Sequence, residues 1–131
     1  MIQVVNTTST SLTAGTTIPT GSVRVRTNSR VNYNNGNLEI VKPGTYKVDG
    51  NFVVTATAAG TIQAQMNVNG TAVPGAIAAG TAAAVGDEIT LPVSFVVQAA
   101  PAAPGSSVAV TWTVSAACTL TNAEAAITRV V

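Results

Sequence analysis

The sequence predicts an all-β fold, and three observations carry that prediction. Apolar and polar residues alternate through several runs, clearest at Tyr46, Val48, Phe52 and Val54 against Lys47, Asp49 and Asn51. A period of two is the pattern of a strand with one face buried. Gly-, Asn- and Pro-containing turn signals separate these runs at intervals of about ten residues. No segment has apolar residues at helical spacing.

Taken in order, residues 2–5 read as a short strand, and 6–21 as a Thr/Ser/Gly-rich loop or loosely paired arm. Val23–Arg26 alternates as a strand. Asn32–Gly36 is a turn cluster, with Asn35-Gly36 a strong hairpin signal. Leu38–Val41 is a short strand ended by Lys42-Pro43-Gly44, and the long alternating run to Thr55 follows. Ile62–Val68 is a second alternating strand, closed by Asn69-Gly70. Residues 71–86 are nearly all Ala, Gly, Thr and Val. They fit either a flexible linker or, the preferred reading, an extended segment where large side chains have no room. In 88–98 the residues Ile89, Leu91, Val93, Phe95 and Val97 share a face, and Pro92 argues for an edge strand or a bulge. A proline-containing loop covers 99–105. Val108, Val110, Trp112 and Val114 share the face of another strand, and residues 123–131 form the last. About eight to ten strands of this kind make a sandwich or barrel. Tyr46, Phe52, Phe95 and Trp112 are the expected aromatic core, each on the apolar side of its run.

Composition bounds the function. The 131 residues suit one domain with a real core. Charged residues are 8% and hydrophobic ones 47%, whereas ordinary globular chains are roughly 25% charged. A chain so poor in charge has little with which to cover its surface. Burial against copies of itself is the preferred explanation, because interface cores are depleted in charge. A monomer coated with Thr, Ser and Asn is the alternative. The net charge of +1 gives no global field for nucleic acid or an anionic membrane. No run of about 18 apolar residues is present to span a bilayer. The first residues, Met1–Asn6, lack the basic and long apolar regions of a secretory signal. Asn6 and Asn69 begin Asn-X-Thr sequons, the second better explained as a turn.

No catalytic residue is assigned. The sequence has no histidine, hence neither the commonest general base nor the commonest metal ligand. One cysteine, Cys118, reads as a small buried hydrophobe. No cofactor is expected and no transition-metal site. A weak calcium site built from main-chain and carboxylate oxygens stays compatible. The carboxylates Glu39, Asp49, Asp87, Glu88 and Glu124 are scattered. Asp87-Glu88 are adjacent on an emerging strand, so they point to opposite faces, and a turn role is preferred for them. Among the six basic residues, Arg24, Arg26 and Arg30 cluster. Arg24 and Arg26 are expected on one strand face. They suit either an acidic partner, through bidentate contacts, or a solvated face.

The pattern Val41-x-Pro43-Gly44-x-Tyr46, a long strand, Val68-Asn69-Gly70, Gly86-Asp87 opening another apolar strand, and the ending Leu120–Val131 resembles the jelly roll of tumour necrosis factor and the complement globular heads. The likeness is nearest to bacterial and phage versions, such as tip domains of collagen-like spore-surface proteins, and spans roughly residues 20–131. It implies a sandwich of about ten antiparallel strands that forms a homotrimer, and a binding or structural module rather than an enzyme. The segments around Phe52, Phe95 and the C-terminal strand would line the axis. The chain departs from the vertebrate branch in its few aromatics, and it carries no Gly-X-Y stalk. A head without stalk or signal suits a small protein set on a larger particle, so a phage-capsid decoration or head-fibre protein located on the virion is the leading expectation. The alternatives are a receptor- or glycan-binding tip on a fibre or on a bacterial cell or spore surface, and a secreted signalling ligand. On this reading residues 1–20 are an N-terminal arm or short strand with a loop, and 21–131 the jelly-roll domain. The arm would contact the particle, so that removing 1–17 leaves a folded trimer that binds poorly. Alternation at Ile2, Val4 and Val5 keeps open that it is a strand of the sandwich.

Overall fold

The computed structural model describes residues 2–26, 31–34, 37–99 and 107–130. They form eleven strands and no helix: β1 (Ile2–Asn6), β2 (Thr10–Leu12), β3 (Ser22–Arg26), β4 (Val31–Asn34), β5 (Asn37–Ile40), β6 (Gly44–Ala56), β7 (Gly60–Val68), β8 (Thr71–Ala82), β9 (Glu88–Ala99), β10 (Val108–Val114) and β11 (Cys118–Arg129). Two antiparallel sheets result. The first has the order β3-β1-β11-β6-β9, with β2 also on β11; the second has the order β4-β5-β10-β7-β8. This is a two-sheet sandwich, within the sandwich-or-barrel class that the alternation predicts, and a jelly roll, as the resemblance implies.

The core lies between the sheets and follows from the alternation. Along β6, Tyr46, Val48, Phe52 and Val54 are fully buried, while Lys47 and Asn51 are exposed. Gly50 keeps the inward period without a side chain. A Cβ there would meet the Phe52 ring at 2.9 Å and Trp112 at 3.0 Å. Trp112, also fully buried, packs edge-on against Phe52, with ring centroids 5.6 Å apart at 61°. Such aromatic pairs add about 0.5–1.5 kcal/mol beyond their buried area. Tyr46 turns its hydroxyl back to donate to the Lys42 carbonyl at 2.8 Å, which fastens the Pro43-Gly44 turn to the strand it opens. Phe95 departs from the expected aromatic core. It faces inward opposite Val48 but is only half-buried, because β9 is the edge of its sheet and Gly75, which approaches its ring, has no side chain to cover it.

The stretch 71–86 resolves into β8 and a turn. The small residues are needed where the edge strands β8 and β9 of the two sheets meet, since a Cβ on Gly80 would fall 2.3 Å from Ile89 Cγ2. Asn69 and Gly70 both have positive φ, 51° and 81°, and join β7 to β8 in a two-residue hairpin loop. Pro92 sits on the edge strand β9. Asp87 is a turn residue: its carboxylate accepts from the Ala83 and Ala84 amides at 2.9 and 3.1 Å. The Asn35-Gly36 turn and most of the 99–105 loop lie outside the described residues.

The N-terminal segment is a strand of the sandwich, not a detachable arm. β1 lies between β3 and β11, pairing Ile2 with Ile127, and Ile2 and Val4 are fully buried. The Thr-rich residues that follow cross to the other sheet. Gly15 N donates to Val114 O, Val114 N to Thr16 O, and Ile18 N to Trp112 O, which continues the second sheet beside β10. The same short segment therefore closes the sandwich along one side. The final strand is longer than the sequence indicates, beginning at Cys118, because a bulge between Leu120 and Asn122 interrupts its alternation.

Candidate functional site

The outer face of the first sheet carries the most built polar arrangement among the described residues. Strand order brings Gln3 of β1, Glu124 and Ala126 of β11, Asp49 and Asn51 of β6, and Pro92 and Ser94 of β9 onto neighbouring rows. Ser94 donates to Asp49 at 2.6 Å, and Gln3 donates through Nε2 to Glu124 at 2.7 Å. Lys47 stands 4.0 Å from the other Asp49 oxygen, an exposed pair worth little in water. Between these groups is a shallow depression of about 190 Å³, floored by Gly50 and Val93 and lined by Asp49, Asn51, Ser94, Glu124 and Ala126. Pockets that enclose small molecules are commonly about 300–1,000 Å³. This one offers carboxylate, amide and hydroxyl groups on an open surface and suits contact with another macromolecule better than enclosure of a substrate.

The sequence-predicted binding residues come out differently. Arg24 and Arg26 do not share a face. A bulge in β3, opposite Gln3 and Val4, shifts the register: Val25 pairs with Gln3, Val23 with Val4 and Arg26 with Ile2. The extra residue flips the alternation. Arg24 accordingly lies over the outer face and donates to Gln3 Oε1 at 3.3 Å, whereas Arg26 reaches the opposite sheet and donates to Asn32 of β4 at 2.6 Å. Both are exposed. Arg30 lies outside the described residues. Asp49 and Asn51 are recognisable in the sequence as outward residues of a strand. Their meeting with Ser94 and Glu124 depends on β6 lying between β11 and β9, which no local pattern records.

Among the described residues no three His, Cys, Asp or Glu gather where a metal ion could be held. Cys118 is buried, and burial pushes its thiol pKa up, which leaves it a poor nucleophile. Among the described residues no helix is long and apolar enough to cross a membrane.

No protein-family model matches the sequence, and no curated protein sequence is similar to it. Solved structures do match its fold. The Eiger TNF of S. frugiperda superposes with a TM-score of 0.79 at 7% identity, covering 99% of this chain and 92% of that one. The globular domain of a zebrafish complement 1qA protein gives 0.75 at 9% identity, covering 99% and 96%. Rabbit GITRL gives 0.50 at 15% identity, with 77% of each chain covered. The fold is thus the TNF-like and C1q-like jelly roll.

Proposed function

We propose that this jelly roll is a non-enzymatic structural module which forms a homotrimer and decorates a larger particle, a bacteriophage capsid, as a decoration or head-fibre protein. The fold supports a structural or binding module, since a TNF-like sandwich accounts for nearly all of these residues. Surface composition supports self-association. The β8/β9 edge presents Ile77 and Val96, 46% and 56% exposed, beside the half-buried Phe95. The outer face of the first sheet offers a shallow depression with Gly50 and Ala126 among its lining residues. An edge of one copy set on the face of the next is a heterologous contact, and three copies can close it into a ring. Around Phe52 the side chains available to that contact are Asn51 and Val53, because Phe52 itself points into the core.

The absence of histidine and the scattered carboxylates argue against acid–base or metal chemistry. Light scattering at micromolar concentration should give three times the chain mass, and the protein should sediment with purified virions. A monomer mass would remove the trimer. A trimer that binds cells but never particles would replace decoration with a receptor-binding role.

A further inference from the structure

The strand register sorts the charges along the sandwich in a way the sequence hides. In the first sheet, Gly50 marks the middle of β6, and its row runs through Ala125 and Val4. Arg26 lies in the row of Ile2, Ile127 and Val48; Arg129 in the row of Tyr46; Lys47 beside Thr128; and Lys42 in the turn before Gly44. Arg24 sits at the bulge level with Gln3 and Val4. Every described lysine and arginine is therefore at or below the Gly50 row. Glu124 pairs with Asn51 and Glu88 with Thr55, while Asp87 O receives the Ala56 amide, so three of the five carboxylates lie on the other side. Among the described residues, Asp49 and Glu39 are the side-chain carboxylates that oppose five cations on the basic side.

Arg24 and Arg26 are held by neutral acceptors, Gln3 Oε1 and Asn32 Oδ1. A neutral acceptor orients a guanidinium without cancelling its charge, and an oriented fork loses less entropy on meeting a carboxylate. We infer that the half of the sandwich from the Gly50 row to the Lys42 turn, bearing Arg24, Arg26, Lys42 and Arg129, is a docking surface for an acidic, carboxylate-bearing protein surface. The inference rests on the reading above that the domain is a binding module, but not on what particle it binds. In a three-fold assembly with strands running along the axis, three such halves face one way. Weak single contacts then gain through avidity. Protein carboxylate is favoured over nucleic acid because the cations are few, sit on separate strands and form no continuous tract along which a phosphate backbone could run, in a chain of net charge only +1.

The test uses the full-length protein and immobilised poly-L-glutamate, with double-stranded DNA and phosphatidylserine vesicles as comparison surfaces. The wild type should bind poly-L-glutamate at low salt and leave it as salt is raised. The variant Arg24→Gln/Arg26→Gln/Lys42→Gln/Arg129→Gln should bind about tenfold or more weakly, about 1.4 kcal/mol or more, with a shallower salt dependence. Asp87→Asn/Glu88→Gln, at the opposite end, should bind as the wild type does. Unchanged circular dichroism confirms that each variant is folded. No binding by wild type, equal loss from changes in either half, or tighter capture by DNA or vesicles would each overturn the inference. Binding to poly-L-glutamate without binding to virions would leave the docking surface intact and remove the capsid reading alone.

Discussion

Gly80 of β8 and Ile89 of β9 touch where the two sheets close on each other, so tightly that a methyl group on Gly80 would overlap Ile89 Cγ2 at 2.3 Å. The contact joins the edges of different sheets and sets how near they come. Gly80→Ala should destabilise the fold by about 1–3 kcal/mol, the usual cost of overpacking. Ile89→Ala removes the methyl in the way. In a denaturation cycle the double variant should therefore lose less than the sum of the single losses. Strict additivity would mean that the edges can slide apart freely.

Trp112 should be the costliest side chain to remove. It is fully buried, stacks edge-on with Phe52 and lies over Gly50. Trp112→Ala is expected to cost about 3–5 kcal/mol by urea denaturation. Its Nε1 has no hydrogen-bond partner among the described residues. Trp112→Phe should therefore be much milder, since it removes an unpaired buried donor along with part of the ring. In the native protein, acrylamide should quench the indole fluorescence poorly.

Removing residues 1–17 should abolish folding rather than only attachment. The deletion takes away Ile2, Val4 and Leu12 from the core, leaves one edge of β11 unpaired, and strips hydrogen bonds from β10. Circular dichroism of the truncated chain should lack the cooperative melting of the whole protein. A folded truncated trimer would show that the sandwich tolerates an open side.

Cys118 links stability to alkaline pH. Burial raises its thiol pKa above the value of 9.0 that an exposed thiol has. Above that value the unfolded chain has lost the proton while the folded chain keeps it, so stability is full below about pH 9 and falls as pH rises toward the folded pKa. Cys118→Ala should flatten this decline relative to neutral pH. In the native state the thiol should react slowly with an aromatic disulfide reagent, and rapidly in urea.

The period-two strands with large aliphatic residues were readable from the sequence, because burial of one face imposes the pattern directly. β6, β7, β9 and β10 are of this kind. β2 and the 15–18 crossing were not, because their Thr, Ser and Gly residues bond through the backbone and leave no apolar signature. Bulges hid the rest. The one in β3 reversed the faces of Arg24 and Arg26, and the one at Thr121 cut the apparent length of β11. The wide bulge at Val73–Ala76 is held by Gln65, whose amide donates to the Val73 and Ala76 carbonyls at 2.8 and 3.2 Å, a long polar side chain in a position that read only as strand. The polar depression and the charge-sorted half both depend on which strands are neighbours, and that is a property of topology.

The pairing of Ile2 with Ile127 sets a timetable for biosynthesis. β1 reaches β6 only through β11, so the middle of the first sheet is missing until the last strand has left the ribosome. At about 5–20 residues per second, the earliest strand waits roughly 6–25 s for β11, its second partner after β3. During that wait β1 can pair with β3 but its β11 side stays open, and the sequence there, Gln3, Val5 and Asn6, carries no charged side chain to discourage pairing with another nascent chain. Where many copies are made at once on one messenger, neighbouring chains compete with the correct partner. Slow growth temperature or dilute expression should raise the soluble yield more than any change to the finished fold.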